Sequence, residues 1–427
     1  MARWWSVLTV VVVTWGGTAS WGADWPQWRG LQRDGRSPET NLLQAWPAEG
    51  PKLLWSARGL GKGYSSVAVA QARVYATGML EKTGYLFVYD LKGNLLWKRA
   101  YGPEWLRSFL GPRSTPTVDG ERVYVMSSFG KVLCFAVNDG RELWSVDVLE
   151  RFGAKNILHG ISESVLIDED KVICTPGGKD ACMVALNKLT GETVWTSKGY
   201  SATPAYCSPI LIEHGGRRMV VTLLVDAVVG IDAESGQLLW EDKFADYQKK
   251  PEPSNAVSPI YHQGYIYTTS GCDDGGAMLV LSEDGKSVSR KWTDIKLDVF
   301  LGGVVLVDGF IYGGAWTSHE KGRWVCLDWE SGKVMYEATW PEKDRQGPII
   351  YADGRLYCYD DQEGHVALVK ATPKGFEVVS SFQITEGEDQ YWAHPAISDG
   401  RLYLRHGEVL MVYDIRDGAG AAEAKSN

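Results

Sequence analysis

The stretch STPTVDGERVYVMSSFGKVLCFAVNDGRELW, Ser114–Trp144, holds one complete structural unit. It divides into four short runs, Thr115–Val118, Arg122–Ser127, Lys131–Val137 and Arg141–Trp144, separated by Asp119-Gly120, Phe129-Gly130 and Asp139-Gly140. Alternation within RVYV and KVLCF is the pattern of strands, and glycine tolerates the positive φ that tight turns need. The unit recurs along the chain. Its closing aromatic is Trp55, Trp97, Trp144, Trp195, Trp240, Trp292, Tyr336 and Phe382 in turn, roughly 45 residues apart. The second strand of each copy is expected to end at Tyr75, Tyr124, Ile173, Val220, Tyr267, Tyr312, Tyr357 and Tyr403. Such a period predicts a radial array of four-stranded blades, a β-propeller.

Beyond the N-terminal leader no segment shows a sustained helical stripe, so the expected fold is all-β with eight blades. The last copy, HPAISDGRLYLRHGEVLMVYD (His394–Asp414), stops before an outer strand. PKLLWS (Pro51–Ser56) has the missing strand, with Trp55 at the anchor position. The ring is therefore predicted to close by pairing this N-terminal strand onto blade eight, which leaves no open sheet edge. The chain divides into a leader, 1–22, an N-terminal segment, 23–50, the propeller, 51–416, and a tail, 417–427.

Apolar content of 44% and 19 Trp supply ample core, which excludes disorder for the main body. A net charge of −9 without a basic run longer than Lys249-Lys250 or Arg217-Arg218 argues against nucleic acid as a partner. MARWWSVLTVVVVTWGGTASWGADW combines Arg3, an apolar stretch and the small residues Gly16–Ser20, the pattern of a secretory signal. Cleavage after Gly22 or Ala23 fits it, and the apolar run is short of the about 20 residues of a membrane span. An exported chain, periplasmic or extracellular, without an integral span after cleavage is the expectation. No cysteine precedes Cys134, so no lipid acceptor lies near the leader.

Cys134, Cys174, Cys182, Cys207, Cys272, Cys326 and Cys358 form no C-x-x-C motif. Cys134 and Cys326 share a repeat position, as do Cys174 and Cys358, which suits small core residues. Cys174 and Cys182 flank a hairpin turn and are candidates for a disulfide. Ser270–Gly276 has acidic and glycine residues but lacks the spacing of a calcium loop, so it reads as a turn.

AVNDGRELW (136–144), ALNKLTGETVW (185–195) and GIDAESGQLLW (230–240) resemble the pyrroloquinoline-quinone (PQQ) type of propeller repeat. The resemblance covers residues 51–416, and the opening ADWPQWRG is similar to exported PQQ-like propellers of planctomycete-type bacteria. It implies eight blades, each outer-strand tryptophan docking between adjacent blades. Members of the family include quinoprotein dehydrogenases and the propeller lipoprotein of an outer-membrane assembly machine.

Connections from each outer strand to the next inner strand run toward the central channel, and several are long, as functional loops are. They place Tyr64, Arg113, His159, Glu163, Tyr206, Asn255, Asp298, Gln346, Trp392 and His394 near one mouth. These residues either hold a polar ligand between aromatic platforms and a charged clamp, or merely solvate the rim. A dehydrogenase would need PQQ, calcium on oxygen ligands and an Asp or Glu base, for which Glu163, Asn255 and Asp298 are the candidates. The alcohol dehydrogenases also sandwich the quinone between adjacent cysteines and a tryptophan, and this chain has no Cys-Cys pair. The expected function is thus a monomeric binding or scaffold module for a protein or small polar ligand. A minimal PQQ-dependent dehydrogenase and an outer-membrane assembly factor are the alternatives.

Overall fold

A computed structural model describes residues 23–243, 255–271, 274–318, 321–341 and 343–418. The leader, Cys272 and nearly all of the tail lie outside the described residues. Eight four-stranded antiparallel sheets form the blades of the propeller, and the only helix among the described residues is one turn, Val148–Arg151. Blade two consists of Thr117–Asp119, Arg122–Met126, Lys131–Ala136 and Glu142–Asp147, from the channel outward. Tyr124 sits in the middle of its strand, paired with Thr117 on one side and Cys134 on the other, so these tyrosines do not end the second strands.

Blade eight takes its outer strand from the N-terminus. Lys52–Ala57 pairs with Val409–Asp414, placing Trp55 opposite Val412. A bulge falls between Leu53 and Trp55, at the position where the other outer strands carry theirs, as between Cys134 and Phe135 opposite Trp144. The borrowed strand thus reproduces the covalent ones in register as well as in sequence.

The repeated Asp…Gly…Trp has a physical cause. The Trp97 indole N–H donates to the Val137 carbonyl of the next blade at 3.1 Å, and Trp55, Trp144, Trp195 and Trp292 donate to Leu91, Lys188, Ala233 and Glu330. Each ring lies on a left-handed glycine: Gly140 at φ 69° meets Trp97, where a Cβ would come within 2.5 Å of the ring. Positive φ and a missing Cβ are required together, which only glycine supplies.

Three anchors depart from this pattern. Trp240 lies on Gly230 of its own blade and its indole N–H is buried without a partner. Tyr336 takes the register position of the tryptophans, opposite Cys326. In blade seven that position belongs to Ser380, opposite Leu368 at the bulge; Phe382, two residues further along, still docks on a left-handed glycine, Gly50 at φ 88°, where a Cβ would come within 2.7 Å of its ring. Trp46 backs it. Its backbone N–H donates to Ser380 Oγ at 2.8 Å, and its ring packs 5.9 Å from Tyr357, as Trp144 packs 6.0 Å from Tyr124.

All six described cysteines are free and buried, Cys174 and Cys182 included, so the expected bridge across that hairpin is not made. They fill space between strands, and burial pushes the Cys182 thiol up to about 12.

Candidate functional site

The two ends of the ring differ. At one end, residues 23–46 form a strap over the turns that join inner to second strands. Trp25 bridges Val69 in blade one, Pro26 accepts from Val118 in blade two, Arg36 bridges Tyr351 in blade seven, and Leu42 bridges Arg416. Between these contacts the strap enters the channel. Arg29 donates to the carbonyls of Val304 (2.5 Å) and Ile349 (3.3 Å) in blades six and seven, and contacts His394 Nδ1 at 3.2 Å. Arg33 donates to the carbonyls of Ser164 (3.1 Å), Pro209 (2.8 Å) and Val165 in blades three and four. Both arginines are 2% exposed, and burial lowers both guanidinium pKa values to about 10. Carbonyl oxygens take the place of carboxylates, so each fixed charge is solvated by inner-strand backbone. Trp28 completes the plug, donating to Ser258 Oγ at 3.1 Å with its ring 4.4 Å from that of His394.

The opposite mouth is built by the outer-to-inner connections. An unbroken arc of rings runs Tyr64–Trp392 (5.1 Å), Trp392–Phe109 (4.7 Å), Phe109–His159 (5.6 Å) and His159–Tyr206 (5.9 Å). Arg113 pins this arc. Its guanidinium donates to the carbonyls of His159 (2.6 Å), Ser108 (3.0 Å) and Phe109 (2.6 Å), fixing two loops against each other. The Tyr206 hydroxyl accepts from the His159 N–H at 3.2 Å, and the Tyr64 hydroxyl donates to Gln390 at 2.8 Å. Burial, then the Arg113 charge, lowers the His159 pKa, so its imidazole is neutral at pH 7. Ser108 Oγ lies 2.5 Å from His159 Nδ1, and no described carboxylate bonds that ring; the contact orients it without completing a nucleophile relay.

Five of the ten residues expected at the mouth therefore converge: Tyr64, Arg113, His159, Tyr206 and Trp392. The other five are buried below it. Glu163 accepts from the Thr175 N–H at 3.0 Å, and Asp298 from the Gly275 N–H at 2.7 Å, each securing a hairpin of its own region. The Asn255 amide donates to the Leu224 carbonyl at 2.7 Å. The Gln346 carbonyl accepts from Asp361, and His394 lies against the plug. Short polar side chains next to inner strands are needed there as backbone partners. Phe109, Trp28, Arg29 and Arg33 were not singled out from the sequence. Nothing local marks an arginine whose acceptors lie in other blades.

The PQQ and calcium implied by the repeat do not fit these residues. The strap's side chains fill the axis as far as the mouth-side ends of the inner strands. Glu163 and Asp298 each already accept a backbone N–H through one oxygen, and among the described residues no three His, Cys, Asp or Glu side chains group as a metal site. No cysteine pair is formed among the described residues to cover a quinone.

A family model described as outer membrane protein assembly factor BamB matches residues 82–338. The quinoprotein alcohol dehydrogenase PedH of Pseudomonas putida is 24% identical over 282 residues, 62% of this chain and 39% of that protein. BamB of Kangiella koreensis is 28% identical over 142 residues, 32% of each chain. The chain thus spans well under two thirds of either relative. Among solved structures, BamB from Moraxella catarrhalis superimposes with TM-score 0.62 at 15% identity, covering 85% of this chain and 97% of that one. The quinohemoprotein alcohol dehydrogenase from Comamonas testosteroni gives 0.67 at 14% identity, covering 91% and 80%. At such identities the superpositions report the fold alone, and no described helix is long and apolar enough to cross a membrane. Repeat, ring and family match agree: this chain belongs to the PQQ-repeat propeller family whose model bears the BamB description.

Proposed function

We propose that this chain is an exported propeller that binds a protein segment or a small polar ligand at the mouth opposite its strap. The observation that carries this reading is the arc from Tyr64 to Tyr206, held rigid by Arg113 and bordered by side chains left in water. Leu106, Phe109, Leu110 and Leu158 are 46%, 39%, 36% and 66% exposed on the two loops that Arg113 joins. Apolar groups gathered on preorganised loops are the usual mark of a recognition surface. The BamB description of the family supports a role beside an outer membrane.

The test places a photo-crosslinking residue at Phe109 or Leu158, with Leu95 on the outer rim as control, in cells that export the protein. A discrete adduct from the mouth positions only, lost on Trp392→Ala, is expected. Equal labelling from the rim would overturn the reading. So would stoichiometric binding of PQQ with calcium, followed by dye-linked oxidation of alcohols or sugars, since that requires an open axis.

A further inference from the structure

On the strap face, one carboxylate is set where a processed chain would begin. Glu39 accepts the backbone N–H groups of Asp399 and, at 2.7 Å, Gly400. Both residues lie in the left-handed region, at φ 55° and 63°, so successive N–H groups aim at the same carboxylate. The Ala23 backbone amide lies beside it, holding its carboxyl down against the rise that burial causes. Ala23 is fixed at its other end too, its carbonyl accepting from Ser398 Oγ at 2.9 Å. Beside Glu39 opens a groove of about 530 Å³ lined by Ala23, Thr40, Asn41, Asp399 and Arg416. The two cations at this spot are already engaged, Arg401 by Asp399 and Arg416 by Asp414. Sequence meets geometry here: Ser20 and Gly22 are the small residues that leader removal in front of Ala23 requires.

We propose that hydrolysis of the Gly22–Ala23 bond by a leader peptidase creates an α-ammonium on Ala23 that pairs with Glu39 and locks the strap. Water is the only co-reactant. The C–N bond breaks, Gly22 leaves as a carboxylate, and the Ala23 nitrogen takes up a proton to become the cation. The amide beside Glu39 gives way to a charge-assisted pair with two further donors. Only the processed chain has this positive charge, so removal of the leader and tightening of the plug are one event. The inference rests on the exported reading, and the experiment separates the two.

Chains beginning at Ala23, released from a cleavable fusion, are compared with chains carrying Gly-Ser in front, each with Glu39 or with Glu39→Gln. The extension is expected to lower Tm by about 1–2 °C when Glu39 is present and to leave the Glu39→Gln pair unchanged. Equal shifts in both backgrounds, or none in either, would overturn the pairing. Mass spectrometry of the full chain expressed with its own leader is expected to find Ala23 first in the exported fraction. A different first residue there would also overturn it. Retention of the full chain in the cytoplasm, with the coupling intact in the cleaved proteins, would count against export alone.

Discussion

A Cβ on Gly140 would lie 2.5 Å from the Trp97 ring, whereas one on Gly120, at the similar φ of 54°, would meet nothing within 4 Å. The two glycines therefore separate backbone strain from packing. Gly120→Ala should cost about 1 kcal/mol, the strain of a left-handed alanine. Gly140→Ala adds displacement of the docked indole and should cost about 2–4 kcal/mol, read as a shift in urea midpoint at unchanged slope. Equal losses would mean that the ring does not depend on this contact. Glu163 gives a second single-residue prediction. Burial pushes its carboxyl up to about 8 from 4.5, and Oε1 is buried without a hydrogen-bond partner. A raised folded pKa means that its contribution is complete below about pH 4.5 and is lost as pH climbs toward 8. Glu163→Gln keeps an acceptor for the Thr175 N–H without a titrating proton. The variant should therefore gain on the parent between pH 5 and 8, by ~3 kcal/mol, in denaturation series at the two pH values. A constant difference between the two would show that Glu163 stays ionised.

At the scale of elements, the strap backs blade seven's anchor from outside the repeat. Ser380 holds the register position without a ring, Phe382 docks on Gly50 two residues further on, and Trp46 packs against Phe382 and Tyr357 from outside the repeat. Trp46→Ala should cost about 3–5 kcal/mol, as buried Trp deletions do, while Trp46→Phe should recover part of it. A surface-like loss below about 0.5 kcal/mol would contradict this support of the blade by the strap. The same comparison shows what the sequence could reveal. Trp55 was legible as the eighth blade's anchor because PKLLWS repeats the outer-strand pattern, and the pairing opposite Val412 follows from it. Phe382 was legible as blade seven's anchor, docked on Gly50, but a bulge that leaves no residue signature sets it two residues off the tryptophans' register. At the mouth, Tyr64, Arg113, His159, Tyr206 and Trp392 were found because connection ends converge by topology. Glu163, Asn255, Asp298, Gln346 and His394 were drawn in by the same rule, though their side chains turn to backbone donors and acceptors below. Arg29 and Arg33 stayed invisible because their partners are carbonyls in blades three, four, six and seven, which no local pattern encodes.

For the molecule as a whole, one continuous segment performs two closures. Lys52–Ala57 completes blade eight, and residues 23–46 tie blades across the channel. Removing the second alone strips Val304, Ile349, Ser164 and Pro209 of their guanidinium donors but leaves the sheet edges paired. A chain lacking 23–46 should therefore still unfold in one transition, destabilised by several kcal/mol for the lost donors to buried carbonyls. Removing 23–57 goes further, because Val409–Asp414 then presents a full row of unpaired N–H and C=O groups next to blade one. An exposed edge of that length pairs with another chain or frays. The longer deletion is expected to lose the single cooperative transition and to associate, seen together by calorimetry and light-scattering-coupled gel filtration. Adding residues 51–58 back as a peptide should reverse the association, since the strand reaches its partner through backbone pairing and Trp55 docking alone. A 58–427 chain that elutes and melts like the parent would show that the ring closes through blade–blade packing without the borrowed strand.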